Sequence, residues 1–440
     1  MLPDDVLDAA ARLGGLRGRV LLHSGRDDDG LGRASFVSAE PTATLLARGT
    51  SLVVLDRDGR PTRRFSGDPF EAAQAFLAEH GCTLGSAPSN HEPRVIGFFG
   101  YDLARVVERL PGGAQIGADT PDLWLSAYGA VARYAPGALP EIIGPDANAR
   151  ARLAEHLARP ALPSIAPSIG PLVADDDAAH HMARVERVKD YLAAGDVYQV
   201  NIARRHVARV DQPGDPLVLY RALVATAPAP YGALIEADGC VVISGSPERF
   251  LAQVGDRIET RPIKGTHREA AALAASEKDS AEHLMIVDLE RNDLGRIAAT
   301  GSVVVDELGY LVELPALHHK VSRVSAVARD GVGYADLLRA TFPGGSITGA
   351  PKIRAMQLID ELEPARRGPY CGALGYFGAS GAFDLAIAIR IGVIVGKELR
   401  VHVGGGIVAD SDPAAELAET ELKAQGWRAA LEQLTVQRMR

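Results

Sequence analysis

Between residues 383 and 403, apolar residues alternate with small or polar ones with few breaks. Leu385, Ile387, Ile389, Ile391, Val393 and Val395 fall on one face of an extended chain, and Ala386, Ala388, Arg390 and Gly392 on the other. Gly396-Lys397 interrupts the run and 399–403 resumes it. The spacing predicts an antiparallel hairpin, 383–395 against 399–403. Its bulky face has to be covered by a second layer. Shorter strand-like runs lie at 52–55, 95–99 and 123–132. Helical periodicity appears at 274–294, where Glu282, Met285, Ile286 and Leu289 share one face. A further helix is expected over 413–434, with Asp412 as N-cap and Pro413 as its first residue. Hairpin-like pairs outnumber strand–helix–strand units, so the expected class is α+β, built on antiparallel sheets.

One compositional break divides the chain. A helix-like stretch at 147–157 leads into ARPALPSIAPSIGPLV (158–173), and a second helix-like stretch follows at 178–194. The expected organisation is an N-terminal region 1–157, a linker or crossover 158–177, and a C-terminal region 178–436, with the two regions woven into one unit.

The charge balance limits partners. Lysine plus arginine total 47 against 56 aspartate plus glutamate, a net charge of −9. No basic run with interleaved aromatics is present, so nucleic acid is not an expected partner. An anionic substrate would need a local cationic site. Cys82, Cys240 and Cys371 are far apart and form no C-x-x-C pair, which fits a reducing, cytoplasmic setting and no zinc site. Cys240 and Cys371 sit in strand-like runs and read as small core residues. No basic-then-apolar leader opens the sequence, and no run of about 18 apolar residues marks a membrane span.

Several clusters carry chemistry. Glu416, Glu419 and Lys423 share a helical face, which is either a carboxylate pair for a hard cation or a solvated face with a Glu419–Lys423 pair; spacing alone favours the solvated face. Arg390, amid small residues, requires an anion: a ligand carboxylate or an internal acid, with nothing to choose between them. The glycine-rich segment 342–352 precedes a helical stretch at 353–362 and offers backbone N–H groups to an anion, but Ala350 stands where a Walker A lysine would be. Gly404-Gly405-Gly406 permits close approach of backbone to a ligand. Lys264, between Ile263 and Gly265 near Pro262, is a surface lysine in a turn or a buried nucleophile; the surface lysine is the commoner outcome. As a nucleophile it would need its pKa depressed by burial or by a cation such as Arg261.

Taken together, these segments resemble the chorismate-utilising enzymes: anthranilate synthase large subunits, aminodeoxychorismate synthase component I, and isochorismate and salicylate synthases. The resemblance runs from about 185 to 429 through GDVYQVNIARR (195–205), SGSPERF (244–250), TRPIKGT (260–266), AEHLMIVDLERNDLGR (281–296), ALHHKVS (316–322), FPGGSITGAPK (342–352), GGGIVADSD (404–412) and ELAETELKAQG (416–426). It implies a large sandwich of two antiparallel sheets flanked by helices. It implies Mg²⁺ held by Glu282, Glu416 and Glu419, and chorismate held by Arg390, Tyr370, Lys423 and the backbone at Gly404 and Gly406. Ser346 matches a substrate contact that is often threonine, and Thr348 is a neighbouring candidate. Glu248 matches the general acid and His319 the family's active-site histidine.

Two positions separate the subfamilies. Members that use water carry lysine where this chain has Gln199. Anthranilate synthases usually have alanine where this chain has Lys264, and the lysine form marks aminodeoxychorismate synthases. The resemblance therefore implies amination of chorismate at C4 through a covalent Lys264 intermediate, in the route to 4-aminobenzoate and folate. Ammonia would come from a separate glutamine amidotransferase subunit, since no glutaminase-type cysteine is seen. Anthranilate synthesis is the rival, and a non-catalytic paralogue is the remote one. Some relatives hold tryptophan in the N-terminal half, away from catalysis. Ser24 matches one position of that site, Pro230, Tyr231 and Gly232 lie where another part would be, and Leu31–Ala34 departs from the pattern.

Overall fold

A computed structural model describes residues 2–26, 29–85, 91–112, 117, 119–314 and 317–438. Two antiparallel sheets form its centre. The first runs in the order Ser168–Ile169, Gln199–Gln212, Glu398–Ile407, Ile391–Val395, Cys240–Ser246, Tyr231–Ala237, Val20–His23, Ser35–Ser38, Val131–Tyr134 and Glu141–Ile143. The second runs from the edge strand Ile263–His267 through Leu317–Ala326, Arg257–Arg261, Arg249–Val254, Phe383–Ile387, Ala373–Gly378, Pro93–Phe99, Leu123–Ala127 and Ala43–Arg48 to Ser51–Asp56 and Pro61–Ser66. Strands from both sides of the proline-rich segment join both sheets. That segment itself contributes two short strands, Ser168–Ile169 and Val173–Ala174, which pair with Gln199–Gln212.

Apolar alternation explains the layers. One core contains Val20, Leu22, Phe36 and Val242 from the first sheet with Leu45, Phe98, Trp124, Leu251 and Phe377 from the second. The other face of the first sheet is covered by the helices Val6–Arg12, Ala147–Ala158, Pro216–Thr226 and Pro413–Arg438, which share a second core. The helix Glu277–Gly295 packs on the Ile263–His267 end of the second sheet. It begins later than the expected 274, because Ser276 caps it by accepting from Asp279 N and so separates it from a short helix, Ala270–Ala275. Asp412 caps the last helix by accepting from Ala415 N at 2.8 Å.

Two runs expected as single strands prove to be crossings between sheets. The 123–132 run divides into Leu123–Ala127 in the second sheet and Val131–Tyr134 in the first. The 383–395 run divides into Phe383–Ile387 in the second sheet and Ile391–Val395 in the first. Only the later half of the expected hairpin is a hairpin: Ile391–Val395 pairs with Glu398–Ile407 across Gly396, whose φ is +56°. Both destinations are covered, apolar layers, so the hydropathy pattern carries no trace of the break. All three cysteines are free and buried, and Cys371 lies in a turn with φ +61° rather than in a strand.

Trp427 fastens the last helix to the hairpin. It is 2% exposed, and a Cβ at Gly392 would lie 2.5 Å from its ring. Trp427→Ala should lower stability by about 3–5 kcal/mol, as a large cavity left in a close-packed core does. Urea unfolding of the two proteins measures the difference.

Candidate active site

The cleft forms where the chain changes sheets. Pro247 and Glu248 connect Cys240–Ser246 to Arg249–Val254, and residues 388–390 connect Phe383–Ile387 back to Ile391–Val395. The crossings are tied together. Ser246 Oγ donates to Ile387 O at 2.6 Å, Ile387 N to Glu248 O at 3.0 Å, and Gly245 N to Arg390 O at 3.2 Å. Arg390 turns with φ +53°, in the left-handed region that costs a non-glycine residue. It therefore stands at a junction, not in mid-strand as the alternation had implied. Its side chain is accessible yet surrounded by protein, and burial lowers its pKa while Glu248 opposes this. Among the described residues its guanidinium has no hydrogen bond or ion pair. The internal acid that acts on it, Glu248, does so through space and not through a bond.

Lys264 belongs to the second sheet's edge strand and is half-buried, where a surface turn was the commoner expectation. Gly265, with φ +81°, makes a bulge there; a side chain at that position would meet Leu273 and Asp279 of the overlying helices. Lys264 Nζ donates to Ser346 O at 3.3 Å, and Ser346 Oγ donates to Glu248 Oε1 at 2.7 Å. Burial lowers the Lys264 pKa, opposed by Glu248 and Glu282 and assisted by Lys423. Arg261 is not the assisting cation, because it turns to Glu259 and Asp29. Burial raises the Glu248 pKa, while Ser346, Lys264 and Arg390 pull it down. Both shifts run toward the uncharged form of the group.

His319 pairs in register with Thr266 beside Lys264, and burial with the Arg390 charge lowers its pKa to about 4. It is neutral near pH 7. Thr348 spends its hydroxyl on the Gly344 and Gly345 carbonyls at 3.0 and 3.2 Å. Gln199 is fully buried, and neither its amide N nor its amide O has a partner among the described residues. A Cβ on Gly406 would lie 2.5 Å from Gln199 Nε2. Tyr370 is buried and stacked on His402, two residues before Gly404, with ring centroids 5.3 Å apart.

The acidic helix reaches the same strand. A Cβ on Gly405 would stand 3.2 Å from Glu416 Oε2 and 3.4 Å from Glu419 Oε1, so the glycine leaves the space between backbone and carboxylates clear. Glu416 accepts from Ser411 Oγ at 2.7 Å. Lys423 Nζ reaches Glu419 at 2.6 Å and Gly404 O at 2.7 Å. Glu282 projects from the helix Glu277–Gly295, close enough to act on Lys264. It does not close with Glu416 and Glu419 into a cage: among the described residues no three His, Cys, Asp or Glu side chains are placed to hold a metal by themselves.

Two contributors were missed in the sequence. Asn201 Nδ2 donates to Ser346 O at 3.1 Å, and Glu290 accepts from Gly345 N at 3.0 Å. Their only signal was a polar residue recurring among apolar neighbours within quoted motifs. The Gly345 N–H is thus already occupied and is not open to an anion.

A separate cavity of about 310 Å³ is lined by Ser24, Pro230, Tyr231 and Gly232, together with Gly32, Arg249 and Asp384. Arg249 donates to the Tyr231 hydroxyl at 2.8 Å and to Asp384 at 2.9 Å.

The model of chorismate binding enzymes matches residues 26–428. The chain belongs to that family. Aminodeoxychorismate synthase component 1 of Klebsiella aerogenes is 40% identical over 416 residues, covering 91% of each chain. Anthranilate synthase component 1 of Thermus thermophilus is 38% identical over 362 residues, 77% of each. The crystal structure of anthranilate synthase component I from Streptococcus pneumoniae superposes with a TM-score of 0.78 at 30% identity, over 90% of this chain and 92% of that one. The two-sheet sandwich is thus the family's fold. No helix among the described residues is long and apolar enough to cross a membrane.

Ser346 joins the lysine to the acid in this cleft. Ser346→Ala should lower kcat for chorismate turnover by about tenfold or more, the usual effect of losing a hydrogen bond to an ionisable group. Ser346→Thr should keep most of it. Steady-state rates of chorismate loss compare the two.

Proposed function

We propose that the chain aminates chorismate at C4, giving 4-amino-4-deoxychorismate for 4-aminobenzoate and folate synthesis. The observation that carries the reading is the linked set Lys264, Ser346 and Glu248. It joins an amine shifted toward neutrality to a carboxyl shifted toward protonation. Lys264 Nζ attacks C2 of the ring, both conjugated ring double bonds shift toward C4, and the C4–O bond breaks as Glu248 gives its proton to the departing hydroxyl, which leaves as water. Ammonia then adds at C4, both double bonds shift back, and the C2–N bond to Lys264 breaks. The enolpyruvyl group is retained. Two allylic displacements replace one difficult substitution.

Arg390, Lys423 and the Gly404–Gly406 backbone receive the substrate's carboxylates, with Tyr370, His319, Thr348 and Gln199 completing the walls. Glu416 and Glu419, with Glu282, suit Mg²⁺, which takes one or two carboxylates and fills its shell with water and substrate oxygens. Bound there, Mg²⁺ would neutralise a substrate carboxylate. The component 1 names of the relatives support a partner component, which we assign as a glutamine amidotransferase delivering ammonia. A cytoplasmic location accords with this role.

With chorismate, Mg²⁺ and ammonium, aminodeoxychorismate should form, identified by chromatography and mass. Anthranilate as the sole product would overturn the reading in favour of the tryptophan-pathway activity. Lys264→Ala should cut aminodeoxychorismate formation by about 10²-fold or more; a parental rate would remove the covalent step.

The Glu248 shift sets a pH dependence. Its acid form is the working form, and burial holds it to higher pH than an ordinary carboxyl. At constant free ammonia, kcat should fall on the alkaline side as Glu248 ionises. Glu248→Gln, which has no proton to give, should lower kcat by about 10²–10⁴-fold and show no such limb.

For the cavity at Ser24, Pro230, Tyr231 and Gly232, we assign an amino acid ligand of tryptophan's size. Calorimetric titration with tryptophan should show saturable binding that Ser24→Trp abolishes. Absence of heat in the parent protein removes the assignment.

A further inference from the structure

Behind the reacting groups lies a buried cluster of charges. Glu290 and Asp293, from the helix Glu277–Gly295, and Lys352, from the start of the helix Lys352–Leu362, surround the base of the 342–348 loop. Lys352 Nζ pairs with Asp293 and donates to Thr341 O at 3.0 Å and Pro343 O at 2.9 Å. Glu290 accepts from Gly345 N at 3.0 Å. Both acids are nearly inaccessible, at 3% and 4% exposed.

The loop has no slack against them. A Cβ on Gly344 would come within 2.7 Å of Ile387, and one on Gly345 within 2.7 Å of Leu289 and 3.0 Å of Glu290. The next residue is Ser346, whose carbonyl receives Lys264 and whose hydroxyl reaches Glu248. Every residue from Thr341 to Ala350 is buried. Two buried acids beside one lysine are a poor means of gaining stability, since the cost of desolvating buried charge offsets the attraction within the cluster. They are a good means of holding a backbone in one place, because each bond is directional.

We propose that Glu290, supported by Asp293 and Lys352, is a positioning clamp that holds the 344–346 turn so that Ser346 meets Lys264 and Glu248 together. The proposal rests on the assignment of Lys264 and Glu248 as the reacting groups. Burial and the neighbouring Asp293 push the Glu290 carboxyl upward. A neutral amide is therefore a close mimic of its protonated form.

The experiment is a double-mutant cycle on chorismate consumption, with Mg²⁺ and ammonium. Glu290→Gln keeps an oxygen for Gly345 N–H and should stay within about threefold of the parental kcat. Glu290→Leu fills similar volume without an acceptor and should lower kcat by about tenfold or more, with KM changed by less than about threefold. Combined with Ser346→Ala, it should cost no more than about twofold beyond the worse single variant, because both act on one contact. Losses that multiply, or a folded Glu290→Leu enzyme with parental kcat, overturn the proposal. So does a Glu290→Gln variant as slow as Glu290→Leu.

Circular dichroism and thermal melting establish that each variant is folded. If Glu290→Leu does not fold, Lys352→Met takes its place in the cycle with the same expected outcome. If neither folds, the cluster serves the fold and the proposal fails. Lys264→Ala is run in parallel. If it keeps the parental rate, the assignment of the reacting lysine is wrong; if it is inactive while the cycle multiplies, the clamp alone is wrong.

Discussion

The two crossings at 246–249 and 387–391 depend on each other, and the cleft depends on both. Each leaves one sheet for the other at the same point, and three hydrogen bonds lock them side by side. Neither could shift alone without breaking bonds buried between two sheets, where an unpaired backbone group is costly. The cost of the left-handed turn at Arg390 is met by this lock. The result is that an acid and a guanidinium, on segments more than a hundred residues apart in sequence, face the same space. Lys264 then needs only to come from the edge strand that borders it.

Burial does opposite things to the charged groups there, and the differences are useful. It lowers the lysine and raises the glutamate, while their attraction for each other opposes both shifts. It lowers His319 to about 4, which leaves that ring an uncharged hydrogen-bonding group between Lys264's strand and Arg390. Arg390 cannot be neutralised in the same way, because a guanidinium remains charged even when its pKa is depressed. The guanidinium thus keeps its charge without a hydrogen-bonded partner among the described residues, and in the proposed function a substrate carboxylate would meet it.

Much of this was legible in the residues, and the rest failed for a definable reason. Helix ends were readable where a side chain caps them, as Asp412 does. The residues of the cleft were readable as motifs, because each motif is a short segment whose chemistry is local. Sheet membership was not. A run such as 383–395 carries the same alternation whether it continues in one sheet or passes to another, since both destinations are apolar. Only Arg390 marked the break, and its type left a ligand anion and an internal acid equally open. Lys264 shows the converse. Proline and glycine around it implied a turn, whereas the glycine makes a bulge within a strand and the proline precedes that strand. Of the two causes expected to depress the lysine, burial acts, but the assisting cation is Lys423, since Arg261 is occupied by Glu259 and Asp29.

The chain as a whole is acidic, with a net charge of −9. A dianion approaching it is repelled at a distance, where salt screens the field, and attracted only within the cleft. Lys423 reaches the glycine backbone there, at Gly404 O. Glu416 and Glu419, on the neighbouring helix, would repel the same dianion. Lys423 offsets part of that charge through its pair with Glu419, and the proposed Mg²⁺ would offset the rest. The acidic helix and the basic cleft would then act as two halves of one site, with Gly405 keeping the space between backbone and carboxylates clear.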